Sequence, residues 1–127
     1  MRTGLWISLL LLGATLALGW WEECENEVLS QRYVSAAEEL RTLADMQDWP
    51  RADEVVAAYI EEWQQTVPWL QILINHEDID DVTLALVKLQ AAIRAQEQSA
   101  CFEACAELKE NARHIYHRDA FSLGNVL

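Results

Sequence analysis

Glycine is scarce in this chain and unevenly placed. There are four in 127 residues, three of them before residue 20 and the fourth at 124. Proline occurs only at 50 and 68. The long middle of the sequence therefore lacks the residues that build tight turns and bulges, and no alternating apolar–polar run marks a strand. That excludes a sheet-rich architecture and leaves helices joined by short turns. Positive charge is also scarce: nine Lys/Arg stand against 21 Asp/Glu, for a net charge of −12. Such a surface repels phosphate backbones, so nucleic acid is excluded as a partner, and no polybasic patch follows the apolar N-terminus to hold anionic lipid. There is no glycine-rich phosphate loop, no Ser/His/Asp arrangement and no nucleophile elbow. No enzymatic activity, cofactor or resident metal is expected from the motifs.

Charge of either sign is absent from Thr3 to Trp21, between Arg2 and the pair Glu22-Glu23. Residues 5–21 would reach about 25 Å as a helix, at the short end for a bilayer span. Trp20 and Trp21 suit the far interface, where an indole keeps its ring in the acyl boundary and its N–H in water. Arg2 favours the cytoplasmic side and the acids after Trp21 the other. Residues 1–21 are thus expected to be a single-pass membrane anchor, N-terminus inside, with 22–127 an acidic helical domain outside the cytoplasm. All 21 acids fall in that domain with eight of the nine bases, a formal charge of −13. The competing reading is a cleaved signal that releases a secreted domain, since Ala17-Leu18-Gly19 offers small residues before a cut. A buried core helix would need a polar face, which Leu9 to Leu12 and their neighbours lack. Cys24 does not have the small residues that precede a lipid-attachment cysteine.

The domain reads as all-α. Leu29, Tyr33, Ala36, Leu40 and Leu43 make an apolar stripe on a first helix that can continue straight out of the membrane segment and ends near Gln47. Asp48-Trp49-Pro50 restarts a second helix, because proline is tolerated in a first turn. Its buried face is Ala52, Val55, Val56, Tyr59, Ile60 and Trp63. Pro68 denies Gln64 its hydrogen bond and predicts a kink or break there. Asn75 to Asp81 is expected as a polar loop, with Asp78 or Asp80 capping a third helix of Val82, Leu86, Leu89 and Ile93. Ser99 is expected to cap a fourth, with Cys101, Ala104, Cys105, Leu108, Ala112 and Ile115 inward. Phe121 to Leu127 is expected to pack back. A shift of 49 residues places Leu40 on Leu89, Ala44 on Ile93, Asp48 on Glu97, Ala52 on Cys101 and Tyr59 on Leu108. The expected architecture is an antiparallel four-helix domain of two helical hairpins, tetratricopeptide-like.

Three constellations carry alternatives. Cys101 and Cys105, one turn apart, could form half a metal site or a redox pair. Two further ligands are lacking, since His114 and His117 lie three to four turns on. Both cysteines also sit on the apolar stripe, where a free thiol behaves as a small hydrophobe. A disulfide with Cys24 or between chains is the remaining alternative, and an odd count of three leaves at least one thiol free or intermolecular. His76-Glu77-Asp78-Ile79-Asp80-Asp81 could bind calcium or serve acid–base chemistry, but it lacks the spacing and mid-loop glycine of a calcium loop, and helix capping explains its aspartates. Trp49, Trp63 and Trp69 gather around the proline of the second helix, where core packing competes with an exposed anchor for a partner.

A short apolar N-terminus, Asp48-Trp49 with Ala52, Trp63, Ile74-Asn75-His76 before Ile79, then Leu89, Ile93, Leu108-Lys109, His114-Ile115, Phe121-Ser122-Leu123 and Asn125-Val126-Leu127 resemble the bacterial family called domain of unknown function 4363. The resemblance spans nearly the whole chain. It implies a small, membrane-attached helical protein of Gram-positive, often spore-forming bacteria, and it brings no activity or catalytic residue with it. The cysteines and Pro50 are not part of its pattern. The expected function is a membrane-anchored protein–protein interaction or scaffolding module that meets the lipid bilayer through residues 5–21 and an unknown protein through Trp63, Pro68, Trp69 and His76. The alternative is an enzyme or metal-binding protein centred on His76 and the acids that follow it.

Overall fold

The computed structural model describes the backbone of residues 2–126 and the side chains of residues 2–21, 27–72 and 74–115. Four helices are described: α1 Arg2–Asp45, α2 Trp49–Leu73, α3 His76–Arg94 and α4 Gln98–Val126. The fold is all-α, with one long apolar N-terminal helix and a bundle of packed helices after it.

α1 is 44 residues long, roughly 66 Å at 1.5 Å per residue. It carries two different chemistries on one rod. From Arg2 to Trp21 nothing is buried, and those 20 residues are long and apolar enough to cross a membrane. Ser8 Oγ donates to the Gly4 carbonyl at 2.9 Å and Thr15 Oγ1 to the Leu11 carbonyl at 2.8 Å, so both hydroxyls are satisfied inside the helix. From Ser30 to Ala44 the same helix buries one face, with Tyr33, Ala36, Ala37, Leu40 and Ala44 in the core and Leu29 and Leu43 beside it.

α2 begins as its sequence requires. Asp48 is the N-cap, accepting from the Arg51 N–H at 3.4 Å, and Pro50 sits in the first turn. Pro68 does not break α2, which runs unbroken to Leu73. Gln64 and Pro68 both lie on the exposed side, where water can satisfy the carbonyl that proline leaves without a donor. The expected loop from Asn75 to Asp81 is not a loop. Asn75 itself caps α3, its Oδ1 accepting from the Glu77 N–H at 3.3 Å, and Glu77 and Asp78 occupy the first turn, where their charge suits the positive helix end. Only Ile74 and Asn75 separate α2 from α3. Ser99 likewise lies inside α4, which starts at Gln98, with the Glu97 carbonyl accepting from the Cys101 N–H. The expectation that Phe121 to Leu127 packs back concerns side chains outside those described.

Each helix runs antiparallel to the next, and α4 closes the ring against α1. The register is fixed by side chains. Tyr33 of α1 meets Trp63 of α2 edge-on at 5.0 Å between centroids. Lys88 of α3 meets Glu107 of α4 at 3.2 Å. Gln98, at the start of α4, donates to the Ala44 carbonyl at the end of α1. Ala52, Val56, Val82, Leu86, Leu89, Ile93, Cys101, Leu108 and Ile115 fill the centre with Trp63. Burying a side chain such as Leu86 or Ile93 contributes about 1.5–3 kcal/mol, whereas the ion pairs are exposed and contribute little.

Candidate functional site

The four residues expected to form a partner surface do not share one environment. Trp63 is 1 % exposed and belongs to the core, where its Nε1 donates to Thr83 Oγ1 at 2.8 Å. Pro68, Trp69 and His76 are exposed. The helical period explains the division: Trp63 and Leu70 sit on the buried face of α2, and Trp69 points away from it. What sequence reasoning missed is Ile72, 76 % exposed and one turn from Trp69, itself 74 % exposed. Together with Pro68 they make the end of α2 apolar on its outer side. The spacing of three could have signalled this pair, but the apolar run from Trp69 to Ile74 hides its two faces.

His76 opens α3 immediately after that end. The acids that follow it are spread around a helical turn: Asp78 is buried, while Glu77, Asp80 and Asp81 are exposed. Among the described residues no group of three His, Cys, Asp or Glu side chains is placed to hold a metal ion.

Two grooves are described elsewhere. One, of about 340 Å³, runs between α1 and α4 and is lined by Glu38, Arg41, Phe102, Cys105, Lys109 and Arg113 among others. The Arg41 guanidinium lies 5.3 Å over the Phe102 ring, and Lys109 pairs with Glu38 at 3.1 Å. The stripe Phe102, Lys109, Arg113 follows the helical periodicity of α4, at spacings of seven and four. The second groove, about 200 Å³, lies between α1 and α2 over Arg32, Glu39, Tyr59 and Glu62. There Arg32 Nη2 donates to Glu62 at 2.6 Å and the Tyr59 hydroxyl donates to Glu39 at 2.8 Å. Burial, with the Glu39 bond adding to it, pushes the Tyr59 phenol up. Beneath it the Tyr33 hydroxyl is buried without a hydrogen-bond partner, and burial pushes that phenol up as well. Neither groove includes His76.

Cys101 and Cys105 are free and buried at 0 % and 3 % exposure. Burial pushes the Cys105 thiol up to about 12, with neighbouring Cys101 adding to it, and raises Cys101 too. A nucleophilic or metal-binding thiol needs the opposite shift. The side chain of Cys24 lies outside those described.

A family model with the description Domain of unknown function (DUF4363) matches residues 22–126, the same family that the scattered sequence positions resemble. No curated protein and no solved structure matches the chain.

Proposed function

The chain belongs to the DUF4363 family, and on that premise we propose that it is a membrane-anchored scaffold on the extracytoplasmic side of a bacterial membrane. In this reading α1 is an uncleaved span with its N-terminus in the cytoplasm, and the bundle presents a surface on which other proteins assemble. A single N-terminal apolar helix fits an anchor or a cleavable signal equally by composition. The anchor is favoured here because α1 runs unbroken from the apolar segment into the bundle core, so the span would fix the domain's height and orientation, a use that cleavage would discard.

The proposed contact surface is the exposed end of α2 with the start of α3: Pro68, Trp69 and His76, with Trp63 holding that end from inside the core. The observation that carries it is the exposure of Trp69 and Ile72 at the end of a helix that buries Trp63 in the core. Large aromatics carry binding energy when a partner covers them. We also propose that α1–α2 and α3–α4 are a duplicated hairpin of the tetratricopeptide kind, supported by the matching turns after α1 and α3. The test is a photo-crosslinking residue at Trp69 in intact membranes. A defined protein adduct supports the scaffold, and the Trp69→Ala and His76→Ala variants should lose the co-purifying protein while melting normally. An adduct-free protein that still reaches the membrane would remove this surface from the proposal.

A further inference from the structure

The register of α1 against α2 sets how high the exposed end of α2 stands. Arg32 pairs with Glu62, and Tyr33 packs on Trp63. The two helices are antiparallel, so residues beyond Trp63 descend toward the apolar half of α1. By that register Trp69 lies level with α1 residues 25–27 and Ile72 with 22–24. Trp21, the last residue of the apolar stretch, is one to six residues below them, about 2–9 Å at 1.5 Å per residue. The polar layer of a bilayer is about 5–7 Å thick on each side.

We infer that Trp69 and Ile72 enter the interfacial layer of the bilayer that α1 crosses, so that the bundle stands on the membrane as well as being tied to it. The inference rests on the anchored reading above and names what first covers the surface proposed there. Three observations converge on lipid. The patch continues the apolar stretch of α1 at the height where that stretch ends. Its composition, an indole beside an aliphatic side chain, is that of an interface-seeking pair. The opposite end of the bundle, at Met46, stands about 37 Å above Trp21 and could not make the same contact. The charge of the domain limits the kind of lipid: with 21 acids against eight bases after Trp21, an anionic surface repels it, so the contact is with a zwitterionic interface. A protein that takes this surface therefore does so at the membrane and displaces lipid.

The test uses the full chain in phosphatidylcholine vesicles. In a Cys24→Ser background, with Cys101 and Cys105 buried, single cysteines at Leu12, Met46 and Ile72 are spin-labelled in turn. Accessibility to oxygen, which concentrates in lipid, is compared with accessibility to a water-soluble nickel chelate. The expected ratio at Ile72 lies with Leu12 and is several-fold above that at Met46. A second readout leaves Ile72 intact: brominated phosphatidylcholine should quench the fluorescence lost in a Trp69→Phe variant. Ile72 matching Met46 while Leu12 reads as lipid would overturn the inference and leave the anchor standing. Leu12 reading as water would overturn the anchor and the inference with it. Protection of Ile72 from both reagents, with spin–spin broadening, would assign the patch to a second copy of the chain and overturn lipid contact.

Discussion

Gln47 and Gln96, 49 residues apart, adopt the same left-handed backbone conformation, φ 56° in each. Their surroundings repeat as well. The Gln47 N–H donates to the Ala44 carbonyl at 3.1 Å and the Gln96 N–H to the Ile93 carbonyl at 3.0 Å. The Asp48 N–H reaches back to Leu43 at 3.0 Å, and the Glu97 N–H to Ala92 at 3.1 Å. Each turn closes a helix by satisfying carbonyls that would otherwise lack donors, and glycine is the usual residue at such a position. Glutamine there accepts a steric cost twice, at the two equivalent points of the chain.

That cost is measurable. A non-glycine residue in the left-handed region costs roughly 1–2 kcal/mol, against which glycine loses more freedom on folding. Gln47→Gly and Gln96→Gly should each raise stability by about 0.5–1 kcal/mol in urea unfolding, while valine at either site should lower it by at least about 1 kcal/mol. Equal gains would confirm equivalent turns. A loss on introducing glycine would show that the glutamine side chains are needed there.

Trp63 and Trp69 are six residues apart on one helix and should behave as opposites. Trp63→Ala removes a core indole and should cost about 3–5 kcal/mol. Thr83→Val leaves the buried Nε1–H of Trp63 without an acceptor and should cost about 1–3 kcal/mol. Trp69→Ala should stay within about 0.5 kcal/mol of wild type, as surface changes do. Thermal melts of the three variants decide it, and a large loss at Trp69 would place that residue in the core.

The apolar stripes were legible because helical burial has a simple period. Leu40, Val56, Leu86, Leu89, Ile93 and Leu108 fall where their spacing puts them. The turn at Gln47 was legible too, since Asp48-Trp49-Pro50 is a strong restart. Helix starts were harder where several capping residues crowd together. Asn75, Asp78 and Asp80 can all cap, and Asn75 prevails because two acids then fall in the first turn. The local effect of Pro68 is large enough to predict a kink or break there. Trp63 and Leu70, on either side of it, are both buried in the core, and the helix continues past it to Leu73. The surface was the least legible part. A run such as Trp69-Leu70-Gln71-Ile72 contains an inward and an outward face. Because three of its four residues are apolar, the composition of the run alone does not separate them; the packing of Leu70 into the core does.

The cysteines give a prediction in pH. Burial raises the thiol of Cys105 from its ordinary 9.0 to about 12 and that of Cys101 in the same direction. The fold therefore favours the protonated thiols, and the stability they contribute is complete below pH 9 and lost as pH rises from 9 toward 12. Cys101→Ala with Cys105→Ala should cost about 1–3 kcal/mol in packing and flatten this alkaline decline relative to wild type. The phenols of Tyr33 and Tyr59 shift the same way, so the difference between the two proteins is the quantity to follow. Both thiols should also resist alkylation at pH 8 until the chain unfolds. Rapid labelling in the native state, or zinc lost stoichiometrically on the double substitution, would overturn the reading of them as core residues.

The last prediction concerns the first helix. Ala17, Leu18 and Gly19 have the small residues a signal peptidase uses, but they lie within an unbroken helix, whereas a protease must draw its substrate out as an extended strand. Trp20 and Trp21 then follow, 72 % and 60 % exposed among the described residues, where an interfacial belt would place them. A free domain starting at Trp20 would carry both indoles into water. The expected outcome is an uncleaved chain: mass spectrometry of the membrane fraction should recover peptides from the first 19 residues, and alkaline carbonate should not extract the protein. A mature N-terminus at Trp20 in the soluble fraction would instead make α1 a signal followed by a shorter helix. It would also remove the bilayer contact proposed above for the apolar end of α2.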